Sequence, residues 1–218
     1  MNVSRGHIPK GVRNPGPAVR SGERRGLGRA LPPLAVTAAL VGLFLTTPAS
    51  GAGGKSEDAL IREALSAAPP QVAETATVID LEGNVLRQGS GEYTCLPAPP
   101  GFGGPMCHDE QFMAWMDAFM NGEPAPPTSA IGTSYMLAGD SPDGGASNID
   151  PQARTPTADN QWVVEGPHVM VIVPDPASLK GLPTTPNADG PYVMWPDSPY
   201  AHIMWPVAER PAQRPVVD

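Results

Sequence analysis

The sequence contains the segments Gly190-Pro-Tyr-Val-Met-Trp195 and Tyr200-Ala-His-Ile-Met-Trp205, joined by Pro196-Asp-Ser-Pro199. Side chains two residues apart on a strand lie on the same face, so each segment would place an aromatic or imidazole ring beside a methionine. Two strand-like segments around a turn rich in Pro, Asp and Ser are typical of a β-hairpin. This hairpin sets the expectation for the rest of the fold.

Similar short β-type runs recur along the chain, separated by turn residues rather than by long helices. The predicted strands are Thr75–Leu81, Val85–Gln88, Tyr93–Leu96, Gly132–Ala138, Trp162–Val164 and Val169–Val173. The first two flank Glu82-Gly83-Asn84, which predicts a second hairpin. We therefore expect a single α+β domain built on an antiparallel sheet of about five to seven short strands.

The clearest helix pattern spans Asp109 to Asn121. Apolar side chains recur there at helical spacing and predict one buried face, formed by Phe112, Met113, Met116, Phe119 and Met120. We expect this amphipathic helix to pack on the sheet through Phe112, Met116 and Phe119. Shorter helices are predicted at Ser56–Ser66 and at Asp175–Gly181, where an N-cap residue precedes each helix.

The first 52 residues have the three parts of a secretory signal peptide. Arginines precede the uncharged run Leu34–Leu45, and small residues follow it up to Ala52. As a helix this run would cover about 18 Å, well short of the roughly 30 Å hydrocarbon core of a bilayer. We expect an exported protein, periplasmic or extracellular, with no membrane anchor after cleavage. Arg24 and Arg25 leave the twin-arginine route open beside the general secretory route.

The predicted organisation follows from these patterns. A signal peptide spans 1–52, an N-terminal helical segment 53–74, a globular domain 75–208 and a flexible, proline-containing tail 209–218.

The charge distribution argues against nucleic-acid binding. The chain carries 14 Lys and Arg against 22 Asp and Glu, and only 7 of the basic residues lie after residue 52. An acidic domain has no basic stripe with which to neutralise phosphates. A hydrophobic fraction of 40% also argues against wholesale disorder. The sequence does not identify a protein partner.

Cys95 and Cys107 are the two cysteines of the sequence. In an exported chain, and at the two ends of a Pro/Gly-rich loop, they favour a structural disulfide. A thiol nucleophile or a metal-binding pair is the alternative. Their spacing is not that of a Cys-x-x-Cys motif, and two thiols make an incomplete metal site.

The segment from Gly139 to Asn160 is polar and rich in Asp, Pro and Ser, which predicts a long irregular loop. It contains a weak candidate calcium site, formed by oxygen ligands from Asp140, Asp143, Asn148 and Asp150. These residues do not follow the order of an EF-hand loop, so a solvated loop is the simpler interpretation.

Imidazole and thioether groups recur two residues apart in the strand-like runs, which makes them a candidate metal site. The candidates are His168, Met170, Met194, His202 and Met204. Neighbouring strands would collect them on one face of the sheet, and this is a ligand set that suits the soft ion Cu(I). The alternative is a plain core, because methionine is also an adaptable core filler. We expect no other cofactor.

Several short motifs together resemble a family of exported bacterial proteins of unknown function. They are Tyr93-Thr-Cys-Leu-Pro97, Gly166-Pro-His-Val-Met170, Gly190-Pro-Tyr-Val-Met-Trp195 and Pro199-Tyr-Ala-His-Ile-Met204. The resemblance covers roughly residues 75–207 and implies export and a single domain. It implies no catalytic residues.

Three classes of function stay open. A non-enzymatic binding or structural protein of the cell envelope fits best, because the sequence has no Gly-x-Ser-x-Gly elbow, no His-Glu-x-x-His motif and no phosphate loop. A soft-metal protein is the second class. The third is an envelope hydrolase whose general base would be His108, His168 or His202.

Overall fold

The computed structural model describes residues 54–101, 103–187 and 189–212. It contains the hairpin that the segments Gly190–Trp195 and Tyr200–Trp205 predict. Tyr192–Met194 and His202–Pro206 are antiparallel strands in which His202 lies opposite Met194. The predicted signal peptide, residues 1–52, lies outside the described residues.

The described helices are α1 (Glu57–Leu65), α2 (Pro70–Ala73) and α3 (Glu110–Met120), and a short 3-10 helix spans Pro176–Leu179. The described strands are β1 (Thr77–Ile79), β2 (Val85–Arg87), β3 (Thr94–Leu96), β4 (Met106–His108), β5 (Gly132–Met136), β6 (Ala146–Ser147), β7 (Trp162–Val163), β8 (His168–Ile172), β9 (Tyr192–Met194) and β10 (His202–Pro206).

The strands form the mostly antiparallel α+β architecture that the sequence predicts. The main sheet has the order β2-β1-β3-β4-β5-β8-β10-β9, and β6 pairs with β7 in a separate two-stranded ribbon. The β1–β3 pair is parallel, and the other pairs are antiparallel. The main sheet has eight strands, which exceeds the predicted five to seven. The additional strand is β4, which follows a Pro/Gly-rich segment.

A disulfide bond joins this additional strand, β4, to its neighbour β3. Cys95 and Cys107 lie directly opposite each other on β3 and β4 and form the predicted disulfide, with their Cα atoms 3.9 Å apart. The strand pairing extends past the cysteines into the Pro/Gly-rich segment, because Leu96 pairs with Met106. The disulfide therefore closes a hairpin rather than an irregular loop.

Helix α1 covers one face of the sheet. The Ser56 hydroxyl accepts a hydrogen bond from the Ala59 N–H and caps the helix. Ala64 and Ala67 are fully buried, together with Val78 and the disulfide. The helical segment thus belongs to the same core as the strands.

Helix α3 covers the opposite face. Asp109 caps it, because its carboxylate accepts the Phe112 N–H at 2.8 Å. Phe112 and Phe119 are buried as predicted, but Trp115 is buried too, and Met120 is 69% exposed. The buried face of α3 is therefore rotated relative to the predicted face, and the Trp115 indole lies at its centre.

The expectation of a flexible tail from residue 209 does not hold at its first two residues. The Arg210 guanidinium bonds both oxygens of the buried Glu165 carboxylate, at 2.9 and 2.5 Å. The backbone of Glu209 passes so close to Gly166 that a Cβ there would collide with the Glu209 carbonyl oxygen. Residues 209 and 210 are thus held against the segment that leads into β8.

In the part of the chain that the structure describes, the helices are too short and too polar for any of them to cross a bilayer.

Replacing both cysteines by alanine should lower the free energy of unfolding by about 3 kcal/mol, because the disulfide restricts the unfolded chain. Urea denaturation of Cys95→Ala/Cys107→Ala and of the wild type measures the difference. Wild-type protein unfolded without reductant should show no free thiol. Two titratable thiols per chain would contradict the disulfide.

Candidate functional site

The sheet face under α3 concentrates sulfur and imidazole groups. The strands place on it Met106, His108, Ser134, Met136, His168, Met170, Met194, His202 and Met204, each 8% exposed or less. All five metal candidates from the sequence share this face. The sequence did not identify Met106 and Met136, because the pairing of β5 with β8 brings Met136 to this face and the pairing of β4 with β5 brings Met106 there.

A cavity of about 50 Å³ lies between this face, α3 and the β6–β7 ribbon. Its walls are formed by the thioethers of Met106, Met116, Met136, Met170, Met194 and Met204, the rings of Trp115, Trp195, His168 and His202, the acidic side chains Asp140 and Glu165, and the small residues Gly103, Gly145, Ala146 and Val163. The space is large enough for an ion or one or two water molecules.

Backbone carbonyl groups fix the orientation of both histidine rings at the cavity. His168 Nδ1 lies 2.7 Å from the Gly166 carbonyl oxygen, and His202 Nδ1 lies 3.0 Å from the Tyr200 carbonyl oxygen. A carbonyl oxygen only accepts, so Nδ1 carries the proton in each ring. In the neutral imidazole the lone pair then lies on Nε2, the second ring nitrogen.

Burial keeps these rings neutral. It lowers the pKa of His202 to about 4, and it lowers the pKa of His168 against the opposing effects of the Gly166 carbonyl and the Glu165 carboxylate. At neutral pH both Nε2 atoms are therefore available as acceptors or as metal ligands.

The two imidazoles lie on neighbouring strands at different positions along the sheet. His168 lies opposite Pro206, which is four positions from His202 on β10. Both rings nevertheless line the same cavity, and the charge of His168 adds to the effect of burial in lowering the pKa of His202. Each histidine also has a methionine directly opposite it, Met136 for His168 and Met194 for His202.

Aromatic rings close the end of the cavity near His202. The His202 ring meets Trp115 and Trp195 edge-on, at centroid distances of 5.2 and 5.0 Å. Trp195 has a positive φ of 53° and is held by two bonds: its backbone N–H donates to the Asn148 carbonyl oxygen and its indole N–H to the Ser147 carbonyl oxygen. A strained residue that is held this firmly keeps the cavity wall in one position.

A buried polar group forms the other end. The Glu165 carboxylate accepts the Tyr192 hydroxyl at 2.7 Å and the bidentate Arg210 guanidinium, which also lies 5.9 Å from the Tyr192 ring centroid. Burial raises the pKa of Tyr192, and the adjacent carboxylate raises it further. The tyrosine therefore stays protonated and donates to Glu165.

Asp140 lies beside this polar group. Its backbone N–H donates to the Glu165 carbonyl oxygen, and its carboxylate accepts the Glu165 N–H at 2.7 Å. Desolvation raises the pKa of Asp140 to about 7, although the Glu165 N–H opposes this shift. Asp140 and Glu165 also line an outer cleft of about 460 Å³, which Arg210 borders. These two carboxyl groups thus stand between the cavity and the cleft.

The candidate calcium ligands do not converge. Asp140 bonds the backbone of Glu165, Asp150 accepts the backbone N–H two residues on, and the Asn148 amide donates to groups in neighbouring loops. Asp143 is exposed. Across 54–101, 103–187 and 189–212, no three His, Cys, Asp or Glu side chains are placed to hold a metal ion. Any metal in the cavity would therefore depend on methionine sulfur.

The histidines do not have the surroundings of a general base. His108 is stacked on Phe112 at 5.0 Å, its Nδ1 has no hydrogen-bond partner among the described residues, and burial lowers its pKa to about 3. The neighbouring Asp109 carboxylate instead caps α3 and accepts the Thr133 N–H. The Nδ1 bonds of His168 and His202 go to backbone carbonyls, so a carboxylate orients neither ring.

No protein-family model, curated protein or solved structure matches this chain. The resemblance to exported bacterial proteins therefore stays a prediction from the sequence motifs.

Asp140→Asn should change how stability depends on pH. The carboxyl titrates near 3.8 when unfolded and near 7 when folded, so the folded state holds an extra proton between these values. Its contribution to stability must then fall as the pH rises from about 4 to about 7, by at most about 1.4 kcal/mol per pH unit. Asparagine does not ionise and still accepts the Glu165 N–H.

Urea unfolding at a series of pH values measures this effect. The stability of Asp140→Asn relative to the wild type should increase steadily from pH 4 to pH 7. Asp189→Asn removes an exposed carboxylate away from this polar group and serves as the control. Parallel wild-type and Asp140→Asn curves would show that the Asp140 carboxyl ionises normally in the folded protein.

Proposed function

We propose that this chain is an exported, non-enzymatic binding protein whose ligand occupies the methionine- and histidine-lined cavity. The surroundings of the histidines favour holding a ligand over turnover, because each described Nδ1 bond of His168 and His202 goes to a backbone carbonyl. An orienting carboxylate and an accessible nucleophile are what a hydrolase would need beside such a base.

The observation that carries the proposal is the set of side chains around the cavity. Six methionines and two histidines, His168 and His202, line one space of about 50 Å³ whose surface is mostly apolar. Thioether sulfur and neutral imidazole nitrogen are soft donor groups that can bind a ligand in such surroundings. The Asp140 and Glu165 carboxylates have protein partners, so they border the cavity without being left unsatisfied.

The outer cleft supports an access route. It shares Asp140 and Glu165 with the cavity, so a ligand that passes between these side chains moves from solvent to the sulfur atoms. The ion pair between Arg210 and Glu165 lies at this boundary. It holds the Glu165 side chain in place beside the cavity.

Export is the remaining part of the proposal. It is supported by the signal-peptide pattern of residues 1–52 and by the disulfide, since disulfides persist in oxidising compartments. The resemblance to exported bacterial proteins points the same way.

A cavity-filling variant tests the binding site. The full chain is expressed in a bacterial host, and the exported fraction is analysed by N-terminal sequencing and native mass spectrometry. We expect the mature chain to begin just after residue 51 or 52 and to carry a bound mass. Ala146→Val adds two methyl groups at the cavity wall and should abolish that mass, whereas Ala125→Val in an exposed loop should leave it unchanged.

Two results would overturn the proposal. A wild-type chain that carries no bound mass, together with an Ala146→Val variant that is simply more stable, would make the cavity a packing defect. A chain that stays unprocessed in the cytoplasmic fraction would remove the export part.

A further inference from the structure

We propose that the ligand is Cu(I), bound by the Nε2 atom of His168 and the thioether sulfurs of Met136 and Met170. This inference rests on the proposed binding function and names the ion and its ligands.

Methionine sulfur is concentrated at the cavity. The sequence contains nine methionines, and six of them line a single cavity of about 50 Å³. The lining residues include no leucine or isoleucine, which are the ordinary fillers of a core. Methionine is a poor choice for packing alone, because its flexible chain loses more side-chain entropy on burial than leucine or isoleucine does. Thioether sulfur is, however, a ligand that Cu(I) prefers.

The strand register brings the three proposed ligands together. His168 lies directly opposite Met136 on β5, and Met170 follows His168 on the same face of β8. Directly opposed residues have Cβ atoms about 5 Å apart, and residues two apart on a strand are roughly 7 Å apart. Long thioether side chains span such distances, so their sulfur atoms can meet the ring nitrogen in the cavity.

The hydrogen bond at Nδ1 prepares the ring for this role. A metal-binding histidine usually donates its other ring N–H to a carbonyl or a carboxylate, which fixes the tautomer and the ring orientation. The Gly166 carbonyl oxygen accepts this hydrogen bond from His168. Its Nε2 is then unprotonated and needs no deprotonation before it bonds an ion.

The ligand set selects for a soft monovalent ion. Two thioethers and a neutral imidazole carry no charge, whereas Zn²⁺ and Ca²⁺ sites use thiolate, imidazole or carboxylate groups. Among the residues that the structure describes, no three such groups come together. Thioethers also do not form disulfides, so they remain ligands in a compartment where both cysteines are oxidised. The Asp140 carboxyl beside the cavity provides a negative charge when a cation enters.

The geometry favours His168 over His202. The edge of the His202 ring faces the two tryptophan rings that close the cavity, Trp115 and Trp195. His168 interacts electrostatically with Glu165, at the boundary with the outer cleft. An ion that enters from the cleft reaches His168 first.

Anaerobic competition with the Cu(I) chelator bicinchoninate tests the proposal, with ascorbate present to keep copper reduced. The folded, disulfide-bonded wild type should remove one Cu(I) per chain from the chelator. Met136→Leu/Met170→Leu keeps the side-chain volume and should weaken binding by at least about 100-fold. Met113→Leu/Met120→Leu changes two methionines outside the cavity lining and should bind as the wild type does. Circular dichroism confirms that each variant is folded.

Three outcomes would overturn the proposal. These are no removal of copper by the folded wild type, unchanged binding in Met136→Leu/Met170→Leu, and a loss of binding confined to Met194→Leu/Met204→Leu, which would move the ion to His202. A different bound mass in the exported protein would refute copper and leave the binding function standing. Absence of both copper and any bound mass would refute both.

Discussion

The structure depends on the contact between two aromatic side chains of α3, Trp115 and Phe119, and the hairpin β9–β10. Trp115 stacks on Trp195 with centroids 5.8 Å apart, and Phe119 stacks on the same ring at 4.8 Å. Tyr200 meets both α3 rings edge-on, and its hydroxyl donates to the Glu123 carbonyl oxygen at 2.8 Å. Each such ring pair stabilises the fold by about 0.5–1.5 kcal/mol beyond the burial of its surface.

The same rings border the cavity. Trp115 and Trp195 line it together with Met116, Met136 and Met170. Glu165 also lines it, and hydrogen bonds to Tyr192 and Arg210 fix the position of its carboxylate. The cavity thus lies between a group of packed aromatic rings and a hydrogen-bonded polar group.

Local sequence patterns predict part of the fold and part of the candidate site. Alternation along β8 and β10 predicts that His168, Met170, His202 and Met204 share a face, because a strand has a period of two and needs no knowledge of its partners. The same holds for the cap and length of α3. The disulfide followed from two cysteines in a chain expected to be exported.

The other features depend on long-range contacts. Strand β4 pairs along a segment rich in proline and glycine, which local propensity does not recognise as a strand. Asp140 and Glu165 are 25 residues apart in sequence, and Arg210 is 45 residues beyond Glu165, so no sequence window contains the polar group. Their meeting requires the order of β5, β8 and β10 in the sheet, which is set by the packing of the whole domain.

The most direct test of the account is a crystal structure of the oxidised protein loaded anaerobically with Cu(I), with anomalous diffraction recorded above the copper edge. We expect one strong peak in the cavity, bonded to His168 Nε2 and to the sulfur atoms of Met136 and Met170. Crystals in which copper lies only on the protein surface, with no peak in the cavity, would contradict this expectation. The methionines on the sheet face under α3 would then be core residues.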